Sequence, residues 1–428
     1  MNVGPIHVEL KQKARSLRLK AAVFASFTEP APSVRARLGE FTTRDWSRAK
    51  FWLDVSGLAL YFLDRLVALD LQECIPESTL RQLHQDLADN RDRTAALIQE
   101  ALTVNTMLRG LNINFTFLKG LTLPKESVPE SALRNQADLD ILVREQDARR
   151  VKTCLQELGY DLDVVIGSTW EFKAGRMGVS TIRDLYRVRP ERSIDMRLAG
   201  NRDKGMDFDR LMRMEWRRIQ GIPGQEIACL SPADIVVQQG QHIFKHMCSE
   251  FIRASWVLEF WRHVCARKAD AAFWREIEKV AVRDSGARVA IGAATLLTTL
   301  VFGPFAPSEL SRWSMDQLPP AICLWIQLYG QRVLFLDTPR SKLYLLLQKQ
   351  LNPDSKAGRI ERRRRLFPLH LPQRITRPDS EESIKERLSR NKIQALFGLR
   401  RLRFHLAQGL LLAIEGPRWE RRLSGVAQ

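Results

Sequence analysis

From Thr43 onward the apolar positions Trp46, Phe51, Leu53, Leu58, Leu60 and Leu63 recur at mostly helical intervals. The pattern breaks at CIPEST. It resumes as one or two amphipathic helices that Gly110 closes, as glycine often does at a helix C-terminus. The texture then changes. INFTFLKG and ADLDILV alternate as short strands do, with loop and short helix between them over 121–137. EQDARRVKTCLQELGY is helical, with Ala148, Val151, Leu155 and Leu158 on one face and Gly159 at its end. RSIDMRL alternates again. From Ser231, which with Pro232 forms a helix-opening pair, helical patterns run to about Gln350.

These patterns predict a helix-rich α+β chain with a short mixed sheet between helical regions. The expected divisions are a basic arm over 1–42, a helical region over 43–111, an α/β core over 112–225, a helical domain over 226–350 and a basic amphipathic tail over 351–428. Residues 1–42 are read as an arm because they are basic, carry prolines and show no period. A length of 428 residues suits two or three domains at about 150 residues each.

Composition narrows the class. Hydrophobic residues make up 45% and charged residues 27%, a globular balance that excludes wholesale disorder and a collagen-like fibre. The net charge of +18 draws the chain to polyanions. From Lys356 to Gln428 there are 18 Lys/Arg against 7 Asp/Glu, so this stretch holds +11 of that charge. The six cysteines form no CxxC and no zinc-like spacing, and read as reduced thiols of a cytoplasmic protein. The N-terminus lacks the apolar segment of a signal peptide. The uncharged run Val289–Ser308 is expected to be a buried core helix, being too broken by glycine and proline to span a bilayer.

Candidate chemistry centres on Asp138 and Asp140. On a strand they point to one face, opposite Leu139, Ile141 and Val143. Two such carboxylates repel unless a cation lies between them, and Mg²⁺ or Mn²⁺ with substrate phosphates suits that position. A solvated edge strand would carry the same pair with no ion. Asp195 sits on the polar side of a second strand, and a neighbouring strand would bring it beside the pair. Three carboxylates around two cations about 3.5–4 Å apart form a clamp for phosphoryl or nucleotidyl transfer. FLKG ends a strand in a glycine that lets backbone approach a phosphate, with Lys119 to neutralise it. Arg134 suits either a triphosphate contact or a brace for the loop. His242 and His246 stand four apart on a helix without the glutamate or third ligand of a zinc site, and read as packing residues.

FTFLKG, ALRNQADLDILV, LQELGY and SIDMRL, taken in this order, resemble the uncharacterised nucleotidyltransferase family of the DNA polymerase β-like superfamily. The likeness runs over residues 43–270, and more loosely to the LFP at 366–368. It implies a nucleotidyltransferase fold and Mg²⁺-dependent transfer of a nucleoside monophosphate from an NTP such as ATP. Asp138 and Asp140 carry over as metal ligands, Asp195 as third carboxylate and base, and Gly120 as the phosphate-loop glycine. Two positions depart from the pattern. Leu121 follows Gly120, where the wider superfamily has Gly or Ser, and Arg197 replaces the family's usual His.

Two other readings stand beside this one. Asp-x-Asp also holds Mn²⁺ in glycosyltransferases, although that reading leaves Lys119 and Asp195 idle. A non-catalytic protein of the same fold would bind RNA or a membrane. The basic tail suits a helix packed back on the protein, a nucleic-acid patch, or peripheral attachment to the inner face of the membrane. The acceptor is left open.

Overall fold

The computed structural model describes residues 4–175, 184–200, 206–219, 224–337, 340–351, 356–367 and 383–426; Pro368 of the LFP match lies outside them. Helices α1 (Gly4–Ser26), α2 (Ala31–Leu38), α3 (Thr43–Ser56) and α4 (Ala59–Ala68) lead into the long α5 (Glu77–Gly110). Strands β1 (Phe115–Leu118) and β2 (Leu139–Arg144) flank a loop with two short 3₁₀ turns. Then come α6 (Ala148–Glu157), β3 (Asp161–Ile166), β4 (Thr169–Ala174), β5 (Arg192–Ala199), α7 (Met206–Met212), β6 (Glu215–Arg218) and β7 (Glu226–Cys229). The rest is helical: α8 (Pro232–Met247), α9 (Ala254–Ala266), α10 (Ala271–Val282), α11 (Ser285–Phe302), α12 (Ser308–Ser311), α13 (Pro320–Trp325), α14 (Gln331–Leu334), α15 (Tyr344–Leu351), α16 (Lys356–Leu366) and α17 (Ile384–Val426). The fold is helix-rich α+β, as the patterns predict.

The strands form one mixed sheet in the order β3-β4-β5-β2-β1-β7-β6. Pairs β2/β5 and β1/β7 are parallel and the others antiparallel. Four of these strands go beyond the three expected from the sequence. One sheet face packs Phe117, Ile141, Val143, Ile194 and Met196 against Ile98, Ala101 and Val104 of α5 and Val151 and Leu155 of α6. The opposite face carries a smaller cluster, Leu118, Leu142, Leu211 and Ile235, beneath α7 and α8. The carboxylates lie on this second face.

Within the expected arm over 1–42, the described residues form two helices, α1 and α2. Leu19, Val23, Phe24 and Phe27 recur at helical spacing and are buried, as are Val34 and Leu38. The prolines misled because Pro30 caps α2 and Pro32 lies in its first turn, where the missing N–H costs nothing. These helices share one continuous core with α3, α4 and the helices after the sheet. The regions before and after the α/β core therefore pack together. Helix α5 joins the two cores: Leu83 lies in the helical core and Ile98 to Leu108 lie under the sheet.

Local signals fix several ends. Thr42 and Asp45 form a reciprocal capping box at α3. The Ser231 hydroxyl accepts the Asp234 N–H at 3.2 Å and caps α8. Helices α8 and α11 approach closely at Gly240, where a Cβ would stand 2.9 Å from Ile291 Cγ1. The uncharged run lies in α11 as far as Phe302, and Ile291, Ala294 and Leu297 of this helix are fully buried. Among the described residues no helix is long and apolar enough to cross a membrane. The end of the basic tail is also part of the core: Trp419 is fully buried, and losing its side chain should cost about 3–5 kcal/mol.

Candidate active site

Strands β2 and β5 run parallel with Asp140 opposite Asp195. Opposed residues share a face, so the two carboxylates stand side by side. On the next strand, β4, Glu171 is opposite Asp195. Asp138 lies just before β2, two residues from Asp140. Four carboxylates thus gather at one end of the sheet face. Glu171 lies in TWEFKA, which alternates polar and apolar residues, so a strand signal is present there although the sequence expectations place no strand between 159 and 192. Its carboxylate accepts from Lys173 Nζ at 3.1 Å, and Lys173 also reaches Asp163 at 2.8 Å.

The crowding shows in the proton affinities. Burial, then Asp140, Asp138 and Glu171, push the Asp195 carboxyl up to about 6, against the pull of Lys119. Burial also raises Asp140, although Lys119 draws it back. The Lys119 ammonium lies 2.6 Å from Asp140 Oδ1 and is the cation now nearest that carboxylate.

Lys119 and Gly120 form a strained turn. Lys119 has φ 55° and ψ −153°, a region that side chains rarely occupy. Its N–H donates to Gln238 Oε1 at 3.0 Å, and its carbonyl accepts from the Thr122 N–H at 2.8 Å and hydroxyl at 2.7 Å. Gly120 has φ +31°, and a Cβ there would overlap the Gln136 side-chain amide. That amide donates to the Asp138 carbonyl at 2.7 Å, tying the glycine turn to the start of β2.

Arg134 is a brace. Its Nε lies 3.2 and 3.3 Å from the two Glu259 oxygens, and the Tyr61 hydroxyl donates to the same carboxylate at 2.9 Å. Burial works against the Arg134 charge, but Glu259, Tyr61 and Asp138 hold its pKa above the ordinary value. From α5, Asn90 donates to the Ala132 carbonyl at 2.6 Å and Arg93 to the Gln136 carbonyl at 3.0 Å. The loop before β2 is therefore clamped to the helical core.

Helix α8 crosses the carboxylate face and brings a residue that sequence spacing did not mark. Lys245 is exposed but close enough to the cluster to feel it. Burial, Lys119 and Arg197 lower its pKa, against the pull of Asp140 and Asp195. A narrow cleft opens beside Lys119, walled by Arg134, Gln238, His242 and Trp256. His242 and His246 pack on Trp256, each with ring centroids 4.4 Å from it. Burial pushes His246 down to about 4, and His242 also well below its ordinary value. Both are neutral packing rings.

The donor set suits a hard divalent cation, being carboxylate oxygens crowded enough to repel one another. As the side chains stand, no three acidic, histidine or cysteine groups among the described residues close around a metal-sized space. Lys119 holds one side of Asp140 instead.

A family model described as an uncharacterised nucleotidyltransferase matches residues 42–303. No curated protein matches. Among solved structures, the crystal structure of an antigenic nucleotidyltransferase-like protein from Paracoccidioides brasiliensis aligns at 12% identity and a TM-score of 0.30. The alignment covers 47% of this chain and 92% of that one, a likeness too faint to bear on the site. The match over residues 42–303 includes α3 to α11 and every site residue described above, and places this chain in the uncharacterised nucleotidyltransferase family.

Proposed function

We propose that the protein transfers a nucleoside monophosphate from an NTP to a hydroxyl acceptor. The observation that carries this reading is the pairing of Asp140 with Asp195 across parallel strands, with Asp138 beside them. Asp138 and Asp140 would hold Mg²⁺ or Mn²⁺ together with the triphosphate, and Asp195 would face the acceptor. A bound divalent cation supplies charge neutralisation on the phosphates and makes the acceptor hydroxyl more acidic.

The chain's own residues do the rest. Lys119 leaves Asp140 for the triphosphate, which exchanges one anion for another. The Gly120 turn gives the phosphates close backbone approach. Lys245 and Arg197 add positive charge at the rim. Asp195 takes the proton of the attacking hydroxyl. The acceptor oxygen bonds to the α-phosphorus, the bond from that phosphorus to the bridging oxygen breaks, and pyrophosphate leaves.

The same register favours nucleotidyl over glycosyl transfer, since a nucleotide-sugar site of the Asp-x-Asp kind gives Asp195 no task. The test is incubation with each α-labelled NTP, Mg²⁺ and cell extract. Label on a macromolecule or metabolite in the wild type, and none with Asp140→Asn, supports the reading. No label with any NTP, but transfer from a nucleotide-sugar, overturns it.

A further inference from the structure

Helix α17 has two working faces. Its inner face docks: His405 and Trp419 are buried, and Leu411, Leu412 and Leu423 pack on the helical core. Gln408 Oε1 accepts the Lys342 N–H at 2.8 Å, and Glu415 accepts from the Tyr329 hydroxyl at 3.2 Å. The outer face is apolar too. Eight aliphatic side chains from Ile384 to Ile414 lie 44% to 79% exposed, among them Leu399, Leu402, Leu406 and Leu410. At 100° per residue they fall within an arc of about 120°, along about 45 Å of helix.

Such a stripe on a charged chain needs a partner. Charge says which. From Ile384 to Ile414 there are seven Lys/Arg and one Glu. Lys385, Lys392 and Arg403 are exposed within the same arc, between the aliphatic residues, and Arg400 lies at its edge. Helix α16 packs against α17 and adds the exposed Arg363 and Arg364. A second copy of this face would bring like charges together. Single-stranded nucleic acid would call for aromatic platforms, but Phe397 and Phe404 are half-buried on the inner side and the stripe itself is aliphatic. A leucine stripe interspersed with long Lys and Arg side chains matches an anionic bilayer surface, which takes the aliphatics among its acyl chains while the cations snorkel to its phosphates.

We propose that the outer face of α17 docks on an anionic lipid bilayer, so that the protein works from the membrane surface without crossing it. The inference does not depend on the nucleotidyltransferase reading.

The full-length chain is used, because Trp419 is part of the core and the helix is not a removable tail. Flotation is measured with vesicles of phosphatidylglycerol and phosphatidylcholine in equal parts, and of phosphatidylcholine alone, at low and high salt. Two variants accompany the wild type: Leu399→Ser/Leu406→Ser/Leu410→Ser and Lys392→Glu/Arg400→Glu/Arg403→Glu. Wild type should favour the anionic vesicles by about tenfold or more and release them in salt, and both variants should lose at least about tenfold. All six positions are exposed, so the thermal midpoints should match wild type, which separates lost docking from lost folding. The proposal fails if wild type floats with neither vesicle, or if the serine variant floats like wild type. It also fails if wild type is a dimer that the serine variant makes monomeric, with no vesicle binding by either. Retention of single-stranded RNA in place of vesicles, lost only in the charge variant, would equally overturn it.

Discussion

Asp140 and Asp195 occupy opposite positions on neighbouring parallel strands, with Glu171 continuing the row on a third. This row concentrates negative charge in a partly buried place. Lys119, in an unfavourable backbone conformation, holds one member of it.

The crowding has a pH signature. Asp195 ionises near 6 in the folded chain and at about 4 when unfolded. Below about pH 4 both states are protonated, so the group contributes nothing to the difference between them. As pH rises from about 4 to 6 the unfolded state releases the proton first, and stability falls. Asp195→Asn removes this loss. It should stabilise the metal-free protein at pH 7 by about 1–2 kcal/mol, after allowance for its partial exposure. Denaturant melts at pH 4, 5, 6 and 7 check this: the two proteins should converge at low pH and diverge above it. Parallel curves would mean that Asp195 does not carry the raised affinity. The same variant should keep Mg²⁺–NTP affinity within about tenfold while turnover collapses.

Gly120→Ala places a methyl group on the Gln136 amide. Relief requires the amide to swing away and release the Asp138 carbonyl. A loss of about 1–3 kcal/mol is expected, with weakened NTP binding. Truncating the obstacle in Gly120→Ala/Gln136→Ala should restore part of both. A double variant worse than the sum of the two singles would show that the glycine serves backbone conformation alone.

The Arg134–Glu259 pair should prove structural. Glu259→Gln leaves a buried guanidinium without its counter-charge, which should cost about 2–4 kcal/mol in thermal or denaturant unfolding. Arg134→Met should likewise lose stability, with NTP affinity changed by less than about threefold once measurements are made well below the melt. A stable Arg134→Met protein that no longer binds NTP would instead make Arg134 a phosphate ligand.

How legible this was from the sequence depended on local pattern. Strands β1, β2 and β5 could be read because their residues alternate or bound a clear turn; β2 and β5 carry Asp140 and Asp195, and Asp138 stands just ahead of β2. Strand β3 could not: Val164, Val165 and Ile166 run without alternation and are exposed at the sheet edge. Strands β6 and β7 have only four residues each, too few for a period. The alternation of TWEFKA puts Glu171 on a polar strand face, but only the pairing of β4 with β5 brings it to the site, and Lys245 arrives through the path of α8. Helices α1 and α2 were obscured by basic residues and prolines that mark a helix start as often as a break. In α17 the amphipathic pattern was visible, but not that one face is committed to the core while the opposite face also carries a row of aliphatic residues.

The most direct measurement concerns Asp138 and Asp140 together. Calorimetric titration of MgATP and of Mg²⁺ alone, on wild type and on Asp138→Asn, is paired with turnover of the labelled NTP. Expected are metal-dependent NTP binding by the wild type and a loss of at least about a hundredfold in turnover by the variant. The variant should fold normally, since a repulsion has been relieved. Binding that is the same with and without Mg²⁺, or an Asp138→Asn protein with near wild-type nucleotidyl transfer, would contradict the assignment of these carboxylates as the metal-holding centre.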